Sequence, residues 1–151
     1  MSDLCSLALD LRGGDVTRLR HQLYTAFPSL TFRTRAIVDA LLLTSAGIGS
    51  AARVARLVGL PSRFALGRIM RREGLPGLRE LADWVSVLEW VSAAERTEAS
   101  LFTLATRSHK SPAVAYRVVK RLTGLTWVQL KARGSPWVLR VFVRRCQALS
   151  G

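Results

Sequence analysis

Apolar residues recur along this chain at three- and four-residue spacing, and the recurrences are interrupted at regular places. Val16, Leu19, Leu23 and Phe27 share one face of a helix that Asp15 can cap and Pro28 stops. The LCSLALDL stretch before it is apolar and is broken by Gly13-Gly14. Ile37, Leu41 and Leu42 predict a second helix over Thr34–Thr44, and Ala46–Gly49 reads as a loop. Ser50 is placed to cap a short helix with Val54, Leu57 and Val58 as its buried stripe and Ala55 small enough for close approach. Gly59 supplies the positive φ of a sharp turn, Pro61-Ser62 open the next helix, and Leu66, Ile69 and Met70 form its apolar face. Leu78–Ala94 is a long helix with Leu81, Trp84, Leu88 and Val91 at core spacing, and Trp84 and Trp90 read as packing residues.

The pattern then repeats. SAARVARLVGLPSRFALGRIMRREGL (Ser50–Leu75) and SLFTLATRSHKSPAVAYRVVKRLTGL (Ser100–Leu125) align at an offset of fifty. Ser50 matches Ser100, Val54 matches Leu104, Ala55 matches Ala105, and Gly74-Leu75 matches Gly124-Leu125. In the second copy Ser100 caps a helix with Leu101, Leu104 and Ala105 inward. Ser111-Pro112 opens the following one, with Ala115, Val118 and Val119 inward. The turn glycine is missing there, and Arg107-Ser108-His109 stands in its place. Two short helical patterns joined by a tight turn make a helix-turn-helix arrangement, and it occurs twice. Trp127, Val128 and Leu130 begin a short closing helix. The apolar, basic tail PWVLRVFVRRCQAL packs back on the body, pairs with another chain, or lies on a membrane; packing is the preferred reading. Strand signals are nearly absent, so the predicted fold class is all-α.

Charge adds a second pattern. The 151 residues carry a net charge of +13, a balance that points to nucleic acid or an anionic surface as partner. It is also segregated. No acid lies between Asp39 and Glu73, where Arg53, Arg56, Arg63, Arg68, Arg71 and Arg72 fall. None follows Glu98, where Arg107, Lys110, Arg117, Lys120 and Arg121 fall. The acids gather between the copies, at Glu73, Glu80, Asp83, Glu89, Glu95 and Glu98, and would hold the connecting helix away from a polyanion. A merely solvated face would mix signs to gain weak ion pairs. Cys5 and Cys146 are too few for a disulfide framework or a zinc site, and His21 and His109 lack ligand partners, so no metal or cofactor is expected. No nucleophile with its base, paired carboxylates or glycine-rich phosphate loop appears, so an enzyme is not expected. The longest apolar run, AIVDALLLTSAGIG, is too short to span a bilayer, and the N-terminus lacks the order of a signal peptide.

SPAVAYRVVKRLTGLT (Ser111–Thr126) resembles the second helix-turn-helix of the AraC/XylS transcriptional regulators, close to SPSYFSRxFKRxTGxTP. The ARxxGL turn and GRIMRREGL ending of the first copy are similar to that family's first unit, and the likeness covers about residues 34–132. It implies an N-terminal helical leader (1–33), a tandem DNA-binding domain (34–132) and a C-terminal tail (133–151), without the family's usual sensor domain. It implies two helix-turn-helix units joined by a long helix, each placing a recognition helix in one of two successive major grooves. The implied partner is double-stranded DNA, with RNA polymerase as a second, and the implied setting is a bacterial cytoplasm, on the nucleoid. By position, the DNA-facing residues are Ser62, Arg63, Phe64, Gly67 and Arg68 in the first unit. In the second they are Lys110, Ser111, Pro112, Ala113, Val114, Tyr116 and Arg117. Arg71, Arg72, Lys120 and Arg121 would meet phosphates or cap helix ends. Arg68 and Arg117 are the candidates for guanine contacts, because Gly, Ala, Val and Pro read base edges poorly. Two other classes stay open: a non-sequence-specific DNA-binding accessory protein, and a protein-interaction module that retained the fold.

Overall fold

A computed structural model describes residues 17–43 and 50–150. Among them are nine helices and no strand. They are α1 (17–26), α2 (Phe32–Leu43), α3 (Ala51–Leu57), α4 (Arg63–Arg72), α5 (Leu78–Arg96), α6 (Leu101–Arg107), α7 (Pro112–Thr123), α8 (Trp127–Arg133) and α9 (Ser135–Ser150). The expected Asp15 cap, the Gly13-Gly14 break and the Ala46–Gly49 loop lie outside the described residues.

The helices start where short polar side chains can satisfy free amides. Ser50, Ser62, Ser100 and Thr126 each accept a hydrogen bond from the backbone N–H three residues on. Gln129 completes a capping box by accepting from the Thr126 N–H. Ser111 caps α7 by conformation only, with Pro112 at the first helical position.

The long helix α5 is the centre of the packing. Leu81, Trp84, Val85, Val87, Leu88, Trp90 and Val91 are buried along it, and α2, α6, α7, α8 and α9 lie against it. Ile37, Leu41 and Leu42 of α2 are buried as the spacing predicts, and so are Ala115, Val118 and Val119 of α7. Leu57 departs from the expected stripe and is 69% exposed. The inward face of α3 is Val54, Ala55 and the half-buried Val58; at 100° per residue Leu57 falls well outside that arc.

The basic tail is the helix α9, and it packs on α5, α8 and α4. Its Phe142 is buried between Trp84 of α5, at a ring-centroid distance of 5.4 Å, and Phe27, at 5.6 Å. Cys146, one turn further on, is buried too, and burial pushes its thiol up to about 12. The first turn of α9 is fixed from α5: Glu95 accepts from both the Ser135 N–H and its hydroxyl. At the other end α1 joins α2 through Asp39, which accepts from Arg20 Nε (2.8 Å) and from the Tyr24 hydroxyl. No helix among the described residues is long and apolar enough to cross a membrane.

Candidate nucleic-acid interface

The two copies fold into matching helix pairs, α3–α4 and α6–α7, joined by turns with the same hydrogen bonds. In the first, Gly59 N–H donates to Arg56 O (3.2 Å) and Leu60 N–H to Ala55 O (2.8 Å). In the second, His109 N–H donates to Thr106 O (3.1 Å) and Lys110 N–H to Ala105 O (2.9 Å). This crossed pair is a Schellman motif, which needs a left-handed residue at its corner. Gly59 takes φ +75°, and His109, which stands where the glycine is missing, takes φ +57°. The backbone therefore repeats where the residue type does not.

The position after that corner points inward. Leu60 is buried there in the first copy. In the second, Lys110 occupies the same place and lays its aliphatic stem toward α5. Its Nζ donates to the buried Ser86 hydroxyl (2.9 Å) and lies 5.9 Å from the centroid of Trp90. Trp90 in turn donates to Ser108 Oγ (3.3 Å). Lys110 is half-buried at the edge of the core, with its ammonium engaged by α5.

On α4, Ala65, Leu66 and Met70 are buried and the opposite face carries the other candidate residues. Arg63, Gly67 and Arg71 form one stripe at i, i+4, i+8, and Phe64, Arg68 and Arg72 form the next. Phe64 is 64% exposed and the Arg63 guanidinium sits 5.0 Å from its ring centroid. The side chains of Arg68, Arg71 and Arg72 are exposed and make no hydrogen bond or ion pair among the described residues. Ser62 spends its hydroxyl on the helix cap.

On α7 the corresponding stripes are Pro112, Tyr116 and Lys120, and Ala113, Arg117 and Arg121. Val114 is exposed beside them, and Ser111 is exposed at the cap. Every cation of these stripes donates to this chain. Arg117 Nε reaches Ala113 O (3.4 Å), Lys120 Nζ reaches Gly124 O (3.1 Å), and Arg121 pairs with Asp83 of α5.

That last pair exposes what the sequence pattern missed. Three acids of the connecting helix, Glu80, Asp83 and Glu95, hold neighbouring helices in place. Asp83 takes Arg121 of α7. Glu80 takes Arg145 of α9 in a two-pronged pair (3.0 and 3.1 Å) and also accepts from Trp84 Nε1 (3.1 Å). The hydrogen bond from Arg145 holds the Glu80 carboxyl below its ordinary value, against the opposing effect of partial burial. Together with Arg79 and Leu122 these side chains line an open cleft of about 540 Å³ between α5, α7 and α9. The pairs span 38 and 65 residues of sequence, so no local spacing announces them.

No protein-family model, no curated protein and no solved structure matches this chain.

Proposed function

We propose that the chain binds duplex DNA through the outward faces of α4 and α7, and that it acts as a sequence-specific transcriptional regulator of the AraC/XylS kind. One observation carries this reading: the face of α4 presents Arg63, Arg68, Arg71 and Arg72 with no carboxylate partner, on a helix entered through a turn that recurs before α7. Like charges gathered on one rigid face are unfavourable in the isolated molecule and favourable against a polyanion. Phosphate contacts supply affinity by releasing counterions. Arg68 and Arg117 supply discrimination, since a bidentate bond to guanine is worth roughly 1–3 kcal/mol. RNA polymerase is the second partner this role implies, and the nucleoid is the implied place.

A second reading, a DNA binder without sequence preference, is favoured by the scarcity of hydrogen-bonding side chains at Gly67, Pro112, Ala113 and Val114. Selection of binding sites from random duplexes with purified protein separates the two. The regulator enriches a bipartite motif with halves about one helical turn, roughly 10–10.5 bp, apart. Arg68→Ala relaxes one half and Arg117→Ala the other. Binding of the random duplexes without enrichment supports the second reading, and absence of binding overturns both.

A further inference from the structure

We infer that the two helices seat unequally on the duplex: α4 approaches base edges with bare backbone at Gly67 and carries most of the ionic grip, while α7 is the shallower, weaker seat. This rests on the DNA-binding reading above and adds which half of the surface does the binding.

Position by position, α4 and α7 correspond at an offset of 49, from the caps Ser62 and Ser111 through Leu66 and Ala115 to Met70 and Val119. Gly67 therefore stands where Tyr116 stands. A glycine in a helix interior weakens the folding equilibrium roughly fivefold relative to alanine. Nothing inside the protein accounts for it. Gly67 is absent from the left-handed positions, and a Cβ built on it meets no atom within 4 Å. It lies at the centre of the basic face, flanked by Arg63 and Arg71 in its own stripe and by Phe64 and Arg68 in the next. A missing side chain there lets an outside surface come closer to the helix axis, and the surface that fits four unpaired guanidiniums is the floor and walls of a DNA groove. At the same place on α7, Tyr116 is 47% exposed and holds the helix off by the length of its ring.

The charges divide the same way. The α4 stripes hold Arg63, Arg68, Arg71 and Arg72, none with an acid partner. The α7 stripes hold Arg117, Lys120 and Arg121, and all three already donate to oxygens of this chain. Arg63 itself is replaced by Pro112. Moving Arg121 to a phosphate requires breaking its pair with Asp83, whereas Arg71 and Arg72 give up only water.

The test uses the full chain and a labelled mixed-sequence duplex of about 30 bp, three helical turns. Gly67→Ala should raise Tm by about 2–4 °C through helix propensity while weakening DNA binding about tenfold or more. Tyr116→Ala should change affinity by less than about threefold. The double change Arg71→Ala with Arg72→Ala should reduce the slope of log K against log salt by nearly two, at about 0.9 per phosphate. Lys120→Ala with Arg121→Ala should reduce it by less than one. A Gly67→Ala protein that is more stable and binds as well as wild type overturns the inference, as do equal slope losses for the two double variants; both leave DNA binding itself intact. Wild-type protein that fails to bind at about 50 mM salt removes the DNA-binding reading and this inference with it.

Discussion

His109 holds a left-handed backbone without being a glycine, and its exchange makes a calibrated test of the repeated turn. For an L-residue that conformation costs about 1–2 kcal/mol, somewhat less for His, which visits it more readily than most. Glycine removes the strain but adds freedom to the unfolded chain, which returns part of the gain. His109→Gly should therefore stabilise the fold by about 0.5–1 kcal/mol, or a Tm rise of about 2–3 °C for a domain of this size. The imidazole is exposed and makes no bond among the described residues, so nothing else is lost. The mirror change is Gly59→Ala. A Cβ there meets no atom within 4 Å, so its effect is the conformational penalty alone, about 1 kcal/mol of destabilisation. Urea titrations at constant slope read both, one midpoint rising and the other falling. A destabilised His109→Gly, or a Gly59→Ala without loss, would show that the two turns are not conformational equivalents.

Three further outcomes follow from the packing. Phe142→Ala should destabilise the protein by about 3–5 kcal/mol, because it empties the contact between Phe27, α5 and α9; a loss under 1 kcal/mol in denaturant titration would make the last helix an appendage. Lys110→Met should cost about 1–3 kcal/mol of stability and leave the salt slope of DNA binding nearly unchanged, since the ammonium is already spent on the buried Ser86 hydroxyl and on Trp90; a slope smaller by about one would show that Lys110 meets a phosphate. Glu80 has a lowered pKa when folded, so its contribution is present above the ordinary carboxylate value of about 4.3 and is lost as pH falls through the lower folded value. Glu80→Gln should therefore lose less stability than wild type between neutral pH and about pH 3, and an equal loss would mean that the pair with Arg145 adds no pH dependence.

What could be read from the sequence was whatever depends on neighbours along the chain. Ser50, Ser62 and Ser100 sit directly before apolar stripes, so their caps were legible, and so was the inward triplet Ala115, Val118 and Val119. Helix phase near an end was not, which is why Leu57 was placed inside; a seven-residue helix offers too few positions to fix its angle. The second turn lacks the glycine that marks the first, yet main-chain hydrogen bonds impose the same φ sign on His109. For the candidate interface, the basic face of α4 was legible from charge spacing. The inward course of Lys110 and the engagement of Arg121 by Asp83 depend on α5 lying alongside, and only the folded chain reveals that. The acids between the copies were visible as a cluster, but their separate partners on α7 and α9 were not.

The central claim is that this surface is built for a polyanionic duplex, and the salt dependence of DNA affinity measures it most directly. With about six phosphates neutralised, log K should fall against log salt with a slope near −5. A binding constant that stays constant between about 50 and 200 mM salt, or no binding at the lower end, would contradict the account.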